Sequence, residues 1–420
     1  MKLALKNIGR IEKAEVEINR ITVIAGENNT GKSTVGRALF AVFNSFFDLE
    51  HQIEAERIQN IDSLISMMYR NLTNRVTRRF DVDEISQSIV KHIDQYKNNP
   101  EAIKDIVLKA ILQYDENFEK HLDNNGLDEF VARINEGLMV SDKEIFNSVL
   151  SKRLDAEFNG QINNIFLDNV GEIVLTIKDT VITVSIEHNN IRNVTGDIDL
   201  HTEVVYIDDP FILDETRYVY YGFDRNYLDH RGQLRMKLVR DSDLNLVDEI
   251  IASNKLESIY EKISMVCSGD LIKSKRFSLG YQRKDSDKIL DAKNLSSGFK
   301  TFAILKALLL NSTIEYNGTL ILDEPEIHLH PEWQLIFAEL IVLIQKEFCV
   351  HVLLNTHSPY FLNAIEVYTE KYGVSDGCKY YLATSKGDVS SLEDVTNCTE
   401  AIYHKLARPL QVLENERGRL

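Results

Sequence analysis

The sequence has no apolar run long enough to cross a bilayer. The longest stretches, such as Ala307 to Leu310 and Leu340 to Ile344, fall far short of the roughly 20 residues that a spanning helix needs. No membrane span is expected. Cysteine is equally sparse: Cys267, Cys349, Cys378 and Cys398 stand apart without C-x-x-C spacing, which argues against a zinc site and a disulfide framework. Basic residues are in deficit, 48 Lys and Arg against 65 Asp and Glu for a net charge of −17. Because phosphate-backbone binding is driven by Lys and Arg, a surface gripping nucleic acid over its whole extent is excluded, and any such contact must be local. The opening Met1-Lys2-Leu3-Ala4-Leu5-Lys6-Asn7 is interrupted by polar residues before an apolar signal core forms. A cytoplasmic protein is expected.

A length of 420 residues allows two or three domains, and 44% hydrophobic with 27% charged residues is ordinary for a globular chain. The most informative stretch is residues 20–34, RITVIAGENNTGKST. Ile21, Val23, Ile24 and Ala25 read as a short core strand, and Gly26-Glu27-Asn28-Asn29-Thr30-Gly31-Lys32-Ser33 keeps the spacing G-x-x-x-x-G-K-[ST] before Thr34. The two glycines allow a tight path on which backbone N–H groups point at phosphate oxygens, aided by the N-terminus of the next helix. Lys32 is placed to reach the β- and γ-phosphates and Ser33 to hold Mg²⁺. Val35, Leu39, Val42, Phe43 and Phe46 give that helix an apolar face.

Along the chain, residues 1–48 read as two short strands joined near Gly9-Arg10, then the phosphate loop and its helix. Residues 49–160 read as a helical insertion, with Gly and Pro nearly absent and Ile85, Ile89, Ile93 and Ile103, Ile106, Val107, Ile111 at helical spacing. A coiled-coil arm is the alternative, but the pattern breaks at Asn98-Asn99-Pro100 and Asn124-Asn125-Gly126. Residues 161–222 read as a β lobe, from the alternation of Ile173, Leu175, Ile177 and Ile182, Val184, Ile186 about Asp179-Thr180, with a further strand at 203–207. Residues 223–289 read as a helical segment carrying Arg225, Arg231, Arg235, Lys237 and Arg240, followed by Lys273, Lys275 and Arg276. These are solvated helix faces or, alternatively, a local contact for nucleic acid or an acidic partner. From 290 to 420 helix and strand alternate, with helices at 297–311, 331–347 and 359–367 and strands at 319–323 and 350–355. This order suits a parallel α/β sheet completing the one begun at residue 21.

Thr319-Leu320-Ile321-Leu322-Asp323-Glu324-Pro325 is an apolar strand closed by two acids, the Walker B arrangement. Asp323 would help hold Mg²⁺ and Glu324 would act as general base toward the attacking water. In the loop Glu326 to His330 after this motif, the His-x-His pair His328 and His330 invites a metal-site reading, which is rejected because no third ligand is apparent.

Leu295-Ser296-Ser297-Gly298 resembles the signature motif of ABC-type ATPases, and His357-Ser358-Pro359 resembles their switch histidine, which contacts the γ-phosphate. Together GENNTGKST, LSSG, LILDEPEIHLHP and NTHSP resemble the OLD-type branch of SMC/ABC ATPases, which includes ATPase subunits of bacterial anti-phage systems such as the Septu ATPase PtuA. The match covers about residues 1–48 and 290–367; the middle agrees only in layout. The resemblance implies an α/β ABC/SMC-type P-loop ATPase head with an antiparallel β lobe and helical insertions, using ATP and Mg²⁺. It further implies a homodimer or higher oligomer in which Ser296, Ser297 and Gly298 bind the nucleotide of the other subunit, with His357 at the γ-phosphate. Phe299 stands where transporter-type signatures carry Gln, and no Q-loop glutamine is evident. No D-x-D cluster follows His357, so an OLD-type nuclease domain is not expected and effector chemistry falls to a separate nuclease or toxin. Bacterial defence is the favoured setting, with a DNA-repair or chromosome-maintenance ATPase as the alternative and a non-catalytic nucleotide-binding scaffold as a second.

Overall fold

The computed structural model describes residues 1–73, 82–118, 124–167, 169–215, 229–240, 257–274 and 279–417. Arg225, Lys275 and Arg276 of the basic stretches lie outside them. The chain divides into two compact units, Met1–Phe47 with Leu150–Leu420, and Asp48–Val149.

The first unit begins with a hairpin of β1 (Lys2–Ile8) and β2 (Ile11–Glu17), turning at Gly9-Arg10 as the alternation requires. Then comes β3 (Ile21–Gly26), every residue of which is buried, as expected of a strand covered on both faces. It leads through the phosphate loop into α1 (Lys32–Phe46).

The second unit is helical: α2 (Leu49–Thr73), α3 (Val82–Lys91), α4 (Ile93–Tyr96), α5 (Pro100–Tyr114), α6 (Asn124–Met139) and the first part of α7 (Asp142–Phe158). Ile61, Ile65, Ile89, Ile103, Val107, Ile111 and Ile134 share one core, so these helices form a packed cluster and not an extended arm. Asn98-Asn99-Pro100 marks a boundary between helices, since Asn99 caps α5 and Pro100 opens it. The helical unit ends at Val149 and not at 160. Leu150, Leu154 and Phe158 on α7 are buried residues of the first unit.

The first unit resumes with β4 (Gly171–Ile177), β5 (Thr180–Glu187) and β6 (Asn190–Thr195), an antiparallel meander. Next come β7 (Val204–Ile207) and α8 (His230–Leu238). The segment 223–289 is not simply helical: β8 (Asp270–Lys273), β9 (Leu279–Gln282) and β10 (Ile289–Asp291) make a small antiparallel sheet. Strands this short carry too few alternations to stand out from loop sequence. The chain continues through α9 (Ser297–Leu310), β11 (Thr319–Asp323), α10 (Pro331–Phe348), β12 (His351–Thr356) and α11 (Pro359–Lys371). It closes with β13 (Lys379–Lys386), β14 (Val389–Asp394) and α12 (Glu400–Arg417).

Among the described residues the large sheet has eleven strands, ordered β6-β5-β4-β1-β2-β14-β13-β3-β12-β11-β7. Strands β13, β3, β12, β11 and β7 pair in parallel. Strand 204–207, grouped from sequence with the β lobe, is therefore part of the parallel core. The β13–β14 hairpin, unread in the sequence, joins that core to the antiparallel flank through β2. One face packs Val23, Leu320, Leu322 and Leu354 against Phe302, Leu305, Phe337 and Phe361. On the other, Ile321 and Tyr206 lie close to Gly36 of α1. Parallel strands covered this way direct their carboxyl ends into a common crevice.

Candidate nucleotide-binding site

The phosphate loop leaves the carboxyl end of β3 between β13 and β12. A Cβ on Gly26 would lie 2.6 Å from the Ala383 carbonyl oxygen, so this glycine is required by its neighbour strand as well as by the turn. Gly31 has φ +81° and a Cβ there would meet Ile11 Cδ1 at 2.7 Å; Asn29 also lies in the left-handed region, at φ 64°. Thr30 ties the loop by donating to the Glu27 carbonyl at 2.8 Å. Helix α1 starts with no side-chain cap and no acid in its first turn, so its free N–H groups and positive end face the loop. Asn29, Lys32, Ser33, Arg37 and Glu324 line a cleft of about 370 Å³ there, with Phe166 at its wall, more than half exposed.

Lys32 is buried, and its Nζ donates to the carbonyls of Gly26 at 3.1 Å and Glu27 at 2.9 Å while lying 3.1 Å from Glu324 Oε1. Glu324 in turn has Oε2 3.4 Å from His357 Nδ1, close enough for an ion pair without hydrogen-bond alignment. Lys32 of the phosphate loop, Glu324 just after β11 and His357 just after β12 thus meet at one point. His357 chiefly, with the Lys32 charge and against the effect of half-burial, holds the Glu324 carboxyl at about 2. The Glu324 carboxylate raises His357 above the ordinary histidine value despite its burial. Glu324 has φ 49°, a left-handed conformation that costs a non-glycine residue energy and persists only where its surroundings impose it. Its N–H donates to the Asn355 carbonyl at 2.9 Å.

Asp323 ends β11 with both carboxylate oxygens engaged: Tyr206 donates its hydroxyl to Oδ2 at 2.8 Å and Asn355 donates Nδ2 to Oδ1 at 3.0 Å. Glu326, read from sequence only as part of the loop after Walker B, is buried. It accepts from the Thr356 hydroxyl and, at 3.2 Å, from the His357 N–H. It thereby fixes the histidine loop to the Walker B loop, and burial pushes its carboxyl up. Tyr206 and Arg37 carried no motif in the sequence, and Glu326 stood inside LILDEPEIHLHP without an assigned role. Asn355 was visible only as the first residue of NTHSP.

Ser296 occupies the N-cap position of α9 but makes no side-chain capping bond, and it is exposed. Its hydroxyl is therefore not spent on its own helix. Gly298 packs so closely on the Walker B loop that a Cβ would lie 2.7 Å from the His328 carbonyl oxygen. Ser296, Ser297 and Gly298 do not line the cleft of their own P-loop.

The basic stretch has little free charge among the described residues. Arg231 pairs with Asp208, Asp209 and Glu215 at 3.0, 3.4 and 3.1 Å, Arg235 pairs with Glu215 at 2.8 Å, and Lys237 pairs with Glu203. The alternative reading of a local contact for nucleic acid or an acidic partner would have to share these cations with neighbouring carboxylates.

Residues 21–363 match the model of a family described as "AAA domain, putative AbiEii toxin, Type IV TA system". The chain belongs to this family. Its residues 21–363 contain the P-loop, signature, Walker B and histidine motifs. Similar solved structures include the "SMC head domain from Thermotoga maritima", at 12% identity and TM-score 0.38, covering 94% of this chain and 98% of that one. A Smc head bound to the C-terminal winged-helix domain of ScpA gives 12% identity and TM-score 0.41, with 94% and 96% covered. The Smc head with an extended coiled coil from Pyrococcus furiosus, bound to the C-terminal domain of ScpA, gives 12% and 0.35, with 99% and 98% covered.

Proposed function

We propose that the protein binds ATP with Mg²⁺ in the P-loop cleft and hydrolyses it. The observation that carries this reading is the meeting of Lys32, Glu324 and His357, with 3.1 Å and 3.4 Å between partners. The donor set suits the ligand: Ser33 and Asp323 offer the oxygen chemistry that Mg²⁺ takes, and the uncapped start of α1 suits a phosphate. A bound Mg²⁺ supplies neutralisation of phosphate charge. Lys32 would exchange Glu324 and its loop carbonyls for β- and γ-phosphate oxygens, freeing Glu324 to orient water as general base while His357 faces the γ-phosphate. A Glu324→Gln variant should bind ATP with near-normal affinity and turn it over at least about a hundredfold more slowly, the usual order for loss of a general base. Wild-type turnover by that variant would assign the base to another residue.

The working unit is a homodimer or higher oligomer in which Ser296 and the start of α9 complete the site of a second copy. The exposed Ser296 hydroxyl, unspent on capping, supports this. At the level of the cell the protein is the sensor or regulatory subunit of an anti-phage defence system, Septu-like in type, controlling a separate nuclease or toxin. Support for a toxin-system setting comes from the family description, which names a putative AbiEii toxin of a Type IV TA system. The pairing of Arg231, Arg235 and Lys237 with carboxylates speaks against the DNA-repair alternative.

A further inference from the structure

We propose that Tyr206 is a positioning residue for the metal-binding carboxylate, acting with Asn355 as the two halves of a clamp on Asp323. Tyr206 is fully buried on β7, beside β11, and its hydroxyl donates to Asp323 Oδ2 at 2.8 Å. Asn355, also fully buried, approaches from β12 on the other side and donates to Oδ1 at 3.0 Å. Two donors from flanking strands leave the carboxylate one orientation, so its remaining lone pairs point out of the sheet end. Such partners of a ligating carboxylate set metal affinity although they never touch the metal.

The tyrosine is itself held. Its ring stacks on His230 with centroids 4.2 Å apart and planes 21° apart, and Phe40 meets both rings edge-on at 6.3 Å and 6.0 Å. His230 is fixed in turn by Glu157 Oε2, 2.8 Å from Nδ1, and by Asp208 Oδ2, 3.1 Å from Nε2. A Cβ on Gly36 of α1 would meet the Tyr206 ring and hydroxyl at 3.2 Å, so helix and tyrosine are packed without slack. Buried polar groups cost stability unless they find partners, and the Tyr206 hydroxyl and the Asn355 amide N–H both find theirs in Asp323.

The inference rests on Asp323 being a metal ligand, and the experiment separates the two. Mn²⁺ is titrated into protein saturated with a non-hydrolysable ATP analogue and free Mn²⁺ is read by electron paramagnetic resonance, with analogue affinity in EDTA measured alongside. Tyr206→Phe keeps the ring and its stacking, and should weaken Mn²⁺ about tenfold, as expected for losing a hydrogen bond to a charged group. Metal-free analogue binding should be unchanged. Asn355→Ala should act in the same direction and carries the test if Tyr206→Phe fails to fold. Asp323→Asn should weaken Mn²⁺ further than either. Wild-type Mn²⁺ affinity in Asp323→Asn would remove the underlying ligand assignment. A normal Tyr206→Phe beside a weakened Asp323→Asn would overturn the clamp alone. Equal losses of metal-free and metal-dependent binding in Tyr206→Phe would reduce Tyr206 to a packing residue and overturn it too.

Discussion

Lys32 shows at the scale of one residue how the site is poised. Its charge is compensated by two loop carbonyls and by Glu324, an arrangement a triphosphate can take over because phosphate oxygens offer the same lysine stronger, charged acceptors. Lys32→Ala should therefore weaken ATP binding by at least about tenfold, the order of one charge-assisted contact, with the fold retained. Calorimetric titration with ATP measures it, and normal affinity would refute the P-loop assignment. His230 makes a second residue-level prediction. Burial would lower its pKa, but Asp208 and Glu157 outweigh that and raise it to about 9; Arg231 and the neutral Tyr206 ring complete its surroundings. A histidine raised from 6.5 in the unfolded chain to about 9 contributes stability that is complete below pH 6.5. That contribution is lost as pH rises through 9, up to about 3 kcal/mol in all. Chemical denaturation between pH 6 and 10 should show this loss in the wild type and a flatter profile in His230→Gln; parallel profiles would mean the imidazole is not the titrating group.

At the scale of elements, the sheet is what brings distant motifs together. Strand β3 lies between β12 and β13, and β11 lies next to β12, so the P-loop, Walker B and histidine loops leave adjacent carboxyl ends. The unforeseen partner is β13, whose Ala383 pairs with Gly26. Gly26→Ala would push a methyl into the Ala383 carbonyl at 2.6 Å, backbone that cannot rotate away. A loss of about 2 kcal/mol or more is expected from such overpacking, measurable by denaturant titration without nucleotide. An unchanged midpoint would show that β13 can give way. Interior helices behave differently: α9 buries Phe302, Leu305 and Leu308 on the face opposite α1 while its N-terminal Ser296 stays exposed. One element thus serves the core at its middle while its N-terminal end stays open to solvent.

At the scale of the whole molecule, the proposed dimer can be tested by mixing defects. Ser296→Arg should bind ATP normally in the single subunit yet lose hydrolysis, since the new side chain would obstruct a composite site. Mixed with Lys32→Ala, it forms heterodimers that gather both lesions in one site and leave the other whole. Steady-state assay of the mixture should then recover part of the wild-type rate. No recovery, together with no crosslink between position 296 and the opposite P-loop, would rule out the composite site. A last prediction concerns effector chemistry: purified protein should not cleave DNA or RNA with Mg²⁺ or Mn²⁺. Cleavage abolished by a substitution outside the ATP site would show an effector in the chain itself.

Sequence motifs alone marked Lys32, Glu324 and His357, which the fold brings together. Short motifs with fixed spacing specify a local path, so Gly26 to Ser33, Asp323-Glu324 and His357 were readable wherever the rest of the chain went. Long amphipathic periods likewise announced the helices of the second unit and the hairpin about Asp179-Thr180. Beyond the reach of the motifs lies whatever depends on which strand runs beside which. The sequence shows a strand at 203–207, but not that β7 runs next to β11 and so delivers the Tyr206 hydroxyl to Asp323. Nor could composition tell that Arg231, Arg235 and Lys237 face carboxylates and not solvent, or that strands of three or four residues such as β8 to β10 would pair. Such contacts join residues far apart in the chain, and no local pattern encodes the partner.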